Sequence, residues 1–261
     1  IEEKALDMAP NSFDDQYLGC RHMMEKELEE LNRTEFVPNS NYTKAWKNAT
    51  AILQNRSSEL SVQAITLMAY TLPEPSLHED LNKAVLTAGR SIDEYLNNFD
   101  FKVMHFLLSS ALRSLRDAKP HQCYHVYRGI NNTIYTAQRG ETVRFGYFAS
   151  SSLNRTRAEM YGNHTIFLVQ TCYGVPIWDY ALSYDHQEVL IPPFETFEVM
   201  NVTREKNRSV IELHAQAVCN KYNCQFVKEK HCKNQPCDFI ADQSVSRDPL
   251  WGFILAATAL A

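Results

Sequence analysis

FKVMHFLLSSALRSLRDAKPHQCYHVYRG, residues 101–129, is the stretch on which the fold assignment turns. Its first half carries Val103, Phe106, Leu107, Ala111 and Leu115 at the intervals of one helical face, predicting a helix over 101–115. Pro120 closes that pattern. Residues 123–128 are rich in aromatic and β-branched types and stop at Gly129, which predicts a strand. The chain changes character here.

Upstream everything reads as helix. Residues 14–32 place Tyr17, Leu18, Met24 and Leu28 near a helical repeat and leave Glu25, Glu27, Glu29 and Glu30 for solvent. Shorter helices are predicted over 46–53 and 60–70. Another covers 78–95, with Leu81, Ala84, Val85 and Ala88 in one stripe. Downstream, β-rich runs follow at 142–145, 165–171, 188–191, 194–202 and 210–215, several of them separated by Gly140, Gly146, Gly162 and Gly174. Helices followed by strands mean α+β rather than alternating α/β. No repeat or low-complexity linker intervenes. Residues 1–238 therefore read as one domain, helical over 1–120 and strand-rich over 121–238, with a C-terminal tail at 239–261.

The 261 residues, 44% hydrophobic, suffice for a sizeable core. A net charge of −5 lacks the basic face that nucleic-acid binding needs, so no such partner is expected. Asn-x-Ser/Thr triplets begin at Asn32, Asn41, Asn48, Asn55, Asn131, Asn154, Asn163, Asn201 and Asn207, a density that points to a secreted glycoprotein. Seven cysteines in that setting imply a disulfide framework with one thiol left over. Cys219, Cys224, Cys232 and Cys237 superficially suggest a zinc ribbon, but gaps of four, seven and four residues fit zinc knuckles poorly. Disulfides are the better reading, and no metal is expected. The absence of a basic, apolar leader at Ile1 is read as a signal peptide already removed. No stretch approaches the roughly 20 apolar residues of a spanning helix. The apolar end at 250–261 reads equally well as a lipid-anchor remnant or as a segment that packs or frays. The expectation is a monomer, extracellular, free or attached to the outer cell surface.

Several nucleotide and hydrolase signatures are missing. There is no G-x-G-x-x-G, no G-x-x-x-x-G-K-[ST], no G-x-S-x-G and no H-E-x-x-H. With only eight glycines, a dinucleotide would have to be gripped by side chains. Three blocks offer them. Val126-Tyr-Arg-Gly129 ends a strand with a rigid, permanently charged fork suited to a diphosphate. Residues 144–153 form an aromatic strand ending in Ser150, Ser151 and Ser152. Residues 186–193, His-Gln-Glu-Val-Leu-Ile-Pro-Pro, put Glu188 at the mouth of an apolar strand. Singly, each has a plain structural reading: Arg128 as a surface ion-pair partner, the serines as a helix cap before Arg155, Glu188 as an edge-strand charge.

Taken together, Tyr127-Arg128-Gly129, Phe148-Ala149-Ser150 and Glu188-Val-Leu-Ile-Pro-Pro193 resemble the Arg–Ser–Glu pattern of the vertebrate ecto-mono-ADP-ribosyltransferases. Ser12-Phe-Asp-Asp-Gln-Tyr17 with Cys20, and Tyr222-Asn-Cys224, extend the likeness over roughly Ala5 to Cys237. The resemblance implies helices ahead of a two-sheet β core with an NAD cleft. It also implies pairing of Cys20 with Cys224 and Cys123 with Cys172. Cys232 and Cys237 would then pair locally and leave Cys219 free. The substrate would be NAD, with NADP as an alternative, and no cofactor would be bound permanently. Arg128 would hold the diphosphate and Ser150 would sit against the nicotinamide-side ribose. Glu188 would take the ribose 2′-hydroxyl and stabilise the oxocarbenium-like transition state.

The arginine-modifying members carry Glu-x-Glu, and here the first position is His186. If the segment is extended, His186 faces the site together with Glu188; as a plain loop residue it would face solvent instead. An imidazole lacks the bidentate carboxylate–guanidinium pairing, and Asp185 would need a bulge to replace it. ADP-ribosyl transfer to arginine on acceptor proteins is the leading expectation. NAD hydrolysis with self-modification is the first alternative, and a catalytically inactive ectodomain acting as a binding module is the second.

Overall fold

The computed structural model describes residues 1–56 and 60–239; the apolar segment at 250–261 lies outside them. In chain order the first elements are β1 (Glu2–Ala5), α1 (Arg21–Leu31) continuing into a π-turn (Asn32–Phe36), α2 (Ser40–Asn55), α3 (Val62–Thr71), α4 (Leu77–Ala88), α5 (Ile92–Asn98) and α6 (Lys102–Asp117). Then follow β2 (Tyr124–Ile130), β3 (Thr133–Thr136), β4 (Thr142–Val143), β5 (Ala149–Ser152), α7 (Arg155–Met160), β6 (Thr165–Thr171) and β7 (Val175–Pro176). The last are β8 (Glu188–Ile191), β9 (Glu195–Glu205), β10 (Arg208–Val218) and α8 (Gln225–His231). These gather into two compact units. One comprises Ile1–Asp14 and Leu112–Asn220, the other Asp15–Ala111 and the chain from Lys221.

The second unit is helical. At its centre α3 buries Val62, Ala64, Ile65, Thr66, Leu67, Met68, Ala69 and Tyr70, too many for a single stripe. Polar caps set the boundaries. Asn39 accepts from the Tyr42 amide at 3.0 Å, which starts α2 well before position 46. Ser61 accepts from Ala64 and Ser91 from Glu94, at 3.1 and 3.0 Å. That Ser91 cap, after Gly89, splits the helix predicted over 78–95 into α4 and α5. The helix predicted over 14–32 begins only at Arg21, because Tyr17 and Gly19 take positive φ of 54° and 80°. The Asp15 carboxylate holds the preceding turn by accepting from the Tyr17, Cys224 and Gln225 amides at 2.7, 2.8 and 2.8 Å. The disulfide Cys20–Cys224 lies beside them.

The first unit is a sheet of eight strands in the order β4-β9-β10-β6-β2-β5-β8-β7, with a parallel ribbon of β1 and β3. Among the described residues, only β10 and β6 pair in parallel within the large sheet. Val126, Phe167, Val169, Val189, Ile191, Phe197, Val199, Ile211 and Leu213 alternate inward and form its core. β2 pairs with β6 over seven residues, and β5 with β8 over four. Between β2 and β5 the register is one pair, Tyr127 opposite Ser152. The β core is thus five strands and three strands meeting at a narrow seam.

Candidate active site

Period-2 alternation sets Ser151 apart from Ser150 and Ser152, which share the other face of β5. Ser151 lies opposite Val189, and its buried hydroxyl donates to the Val189 carbonyl at 2.7 Å. Ser152 donates to the His186 carbonyl at 2.6 Å and accepts from the Asn154 amide at 3.0 Å. Asn154 caps α7 by accepting from the Arg157 amide at 3.3 Å, so the cap role belongs to it. Ser150 alone hydrogen-bonds the Glu188 side chain.

Arg128 reaches the same residue from the other side of the seam. Its Nη1 donates to the Ser150 carbonyl at 2.6 Å and its Nη2 to the Tyr147 hydroxyl at 3.3 Å. The guanidinium carbon also lies 5.4 Å from the Tyr147 ring centroid. Ser150 is therefore a hub, with its carbonyl on the arginine and its hydroxyl on the glutamate. Gly129 has a packing reason. A Cβ there would strike the carbonyl oxygens of Ala158 and Gly162, so a side chain would push the end of α7 off β2.

Glu188 opens β8, keeps part of its surface accessible, and is otherwise enclosed by protein. That enclosure raises its pKa above the ordinary glutamate value, against the hydrogen bond from Ser150 and the charge of Arg128, which lower it. His186 does not lie on an extended strand. Tyr184–His186 is a 3-10 turn, and Gln187 follows in the left-handed region at φ 42°. The turn carries the His186 ring onto Tyr161, with Nδ1 3.1 Å from the phenolic oxygen and the rings edge to face at 6.1 Å. Asp185 is exposed on the same turn. Strand periodicity failed here because the residues ahead of β8 are helical in sense.

Tyr147 and Tyr161 are the additions made by the structure. Tyr147 stood inside the aromatic block at 144–153, whereas nothing in the sequence tied Tyr161 to Glu188. That block is also not one long strand. Arg144 is buried and donates to Asp14 at 2.7 Å and to the carbonyls of Met8, Cys219 and Ala9 at 2.6, 3.0 and 3.1 Å. It clamps the chain and takes no part in the site. The disulfides are Cys20–Cys224, Cys123–Cys172 and Cys232–Cys237, with Cys219 free and exposed. Cys224 and Cys232 thus belong to different bridges, which leaves no zinc knuckle. Among the described residues no group of three His, Cys, Asp or Glu side chains converges as metal ligands would, and no helix is long and apolar enough to cross a membrane.

Residues 6–220 match the family model described as NAD:arginine ADP-ribosyltransferase. The chain is 50% identical over 251 residues to the erythroblast NAD(P)(+)–arginine ADP-ribosyltransferase of Gallus gallus, covering 94% of this chain and 83% of that protein. It is 42% identical to the GPI-linked NAD(P)(+)–arginine ADP-ribosyltransferase 1 of Mus musculus, covering 90% and 77%. The crystal structure of the eucaryotic mono-ADP-ribosyltransferase ART2.2 aligns with a TM-score of 0.70 at 32% identity, over 86% of this chain and 99% of that one. A glutamate-to-alanine variant of ART2.2 in complex with NADH aligns at 0.71.

Proposed function

The chain belongs to the NAD:arginine ADP-ribosyltransferase family, and on that premise we propose that Arg128, Ser150 and Glu188 are the groups with which it transfers ADP-ribose from NAD to arginine. The observation that carries the assignment is the linkage through Ser150, whose two oxygens tie a guanidinium and a carboxylate into one cluster. Arg128 has donors enough to grip a diphosphate while holding the Ser150 carbonyl. Ser150 presents Glu188 to the nicotinamide-side ribose. As the bond from ribose C1′ to the nicotinamide nitrogen lengthens, positive charge grows on the ribose. A carboxylate fixed beside it stabilises that charge more than it stabilises intact NAD. Nicotinamide leaves neutral, and the guanidinium nitrogen of an acceptor takes C1′ and releases a proton. NADP is an alternative donor, as in the names of the relatives.

Water as acceptor is the second reading. It is favoured by His186, which takes the place where the family resemblance implies the first glutamate of Glu-x-Glu, and which is already engaged by Tyr161. The extracellular location, with a GPI anchor as in the named mouse relative, is supported by the disulfides and the Asn-x-Ser/Thr density. The deciding experiment follows nicotinamide release from NAD by the purified protein with and without agmatine. Release accelerated by agmatine, with an ADP-ribosylated agmatine product, supports the transferase. Release indifferent to agmatine supports hydrolysis. No release overturns both.

A further inference from the structure

We infer that the exposed ring of Tyr161, held in place by His186, is the platform on which the acceptor guanidinium lies beside Glu188. This rests on the transferase reading above. A cationic acceptor that lacks a second carboxylate needs another electron-rich partner, and an aromatic face supplies one. Tyr161 is 63% exposed, although it follows directly on α7 and packs edge to face on a neighbour. Its hydroxyl is not adrift. His186 Nδ1 sits 3.1 Å away, and Ser152 in turn holds the His186 carbonyl at 2.6 Å. The chain of contacts runs from Ser152 through His186 to Tyr161, and Ser152 lies opposite Glu188 in the β5–β8 register. The ring is therefore indexed to the strand that carries the carboxylate.

Electrostatics agree. Although the ring is largely exposed, partial desolvation of its hydroxyl first and the Glu188 charge second raise the Tyr161 phenol above its ordinary pKa, so the two groups share one field. Arg157 is the opposing cation, and its Nη1 is turned to the Met160 sulfur at 3.9 Å. Tyr184 is equally exposed at 62%, but its ring is turned edge to face onto Trp178. In this arrangement His186 is a positioning residue. It acts on the acceptor through Tyr161.

The test compares Tyr161→Ala, Tyr161→Phe, His186→Ala and Tyr184→Ala by steady-state kinetics, varying agmatine and NAD separately. For Tyr161→Ala the ratio of agmatine KM to NAD KM is expected to rise about tenfold, the scale of one partly desolvated cation–π contact. Tyr161→Phe keeps the ring and should recover most of that loss. His186→Ala should fall between the two, raising the agmatine KM with little change in kcat. An unchanged ratio in Tyr161→Ala, with agmatine still modified, overturns the inference and leaves the transferase reading standing. A shift in Tyr184→Ala alone moves the platform to the other tyrosine and overturns it too. If the unaltered protein modifies no agmatine, the transferase reading falls, and this inference with it.

Discussion

Glu188→Gln keeps the shape of the side chain and a hydrogen bond to Ser150 while removing the charge. If the carboxylate stabilises the transition state, NAD turnover should drop by about a hundredfold or more with the melting temperature nearly intact. Nicotinamide release checks this, and near-native turnover in the variant would refute the role. The pH profile gives a second handle. The working form is ionised, and burial raises the pKa above the ordinary 4.5, so activity should fall on acidification at a pH above that value. Glu195 behaves differently. It is buried, accepts from the Cys172 and Tyr173 amides at 2.7 and 3.1 Å, and is pushed up to about 7, chiefly by burial. Below about 4.5 it is protonated folded or unfolded and contributes nothing to pH dependence. As pH rises from there to 7, the unfolded chain ionises first and stability declines. Melting curves at pH 5 and pH 8 should show the protein losing more stability than Glu195→Gln does. At this scale the three blocks together singled out Arg128, Ser150 and Glu188, and the fold brings these three side chains to one place. The surroundings of His186 stayed open between strand and loop, since the turn that rotates its ring is set by Gln187 at positive φ and by a hydroxyl from another strand.

The packing of α7 and its exit on β2 depends on Gly129 and Gly162, where a Cβ would strike the backbone of Ala158 and Gly162 and of Ile130 and Asn131 respectively. Gly129→Ala should displace α7, and with it Tyr161, which would appear as a lower melting temperature and reduced transfer to agmatine. Helix boundaries depend on local chemistry. Ser61→Ala should cost about 1 kcal/mol in urea unfolding through the lost cap on α3. These features explain what was legible. The stripe at 101–115 and the runs at 165–171 and 188–191 correspond closely to α6, β6 and β8, because hydrophobic period alone specifies them. β1 and β3 escaped notice. Glu2–Ala5 is exposed along its whole length, so no alternation marks it, and only its pairing with Thr133–Thr136 makes it a strand. The late start of α1 was equally hidden, since Asp15 is satisfied by amides more than 200 residues away.

At the scale of the molecule, Cys20–Cys224 joins positions 204 apart within the helical unit. In a chain-entropy view a closure of that length is worth about 5 kcal/mol, a large part of an ordinary domain's stability. The double variant Cys20→Ser/Cys224→Ser should therefore unfold at markedly lower urea, and hydrogen exchange should speed up in α1 and α8. The narrow join between β2 and β5 has the opposite character. Backbone pairing across it is one residue pair among the described residues, and Arg128 reaches over it to the Ser150 carbonyl, while Ser150 and Glu188 lie together on one bank. If the sheet cracks anywhere under mechanical load or brief thermal opening, this is its perforated line. Such a tear would carry the carboxylate and its serine away as a unit and leave the arginine behind, uncoupling the grip on the diphosphate from the bond to be broken.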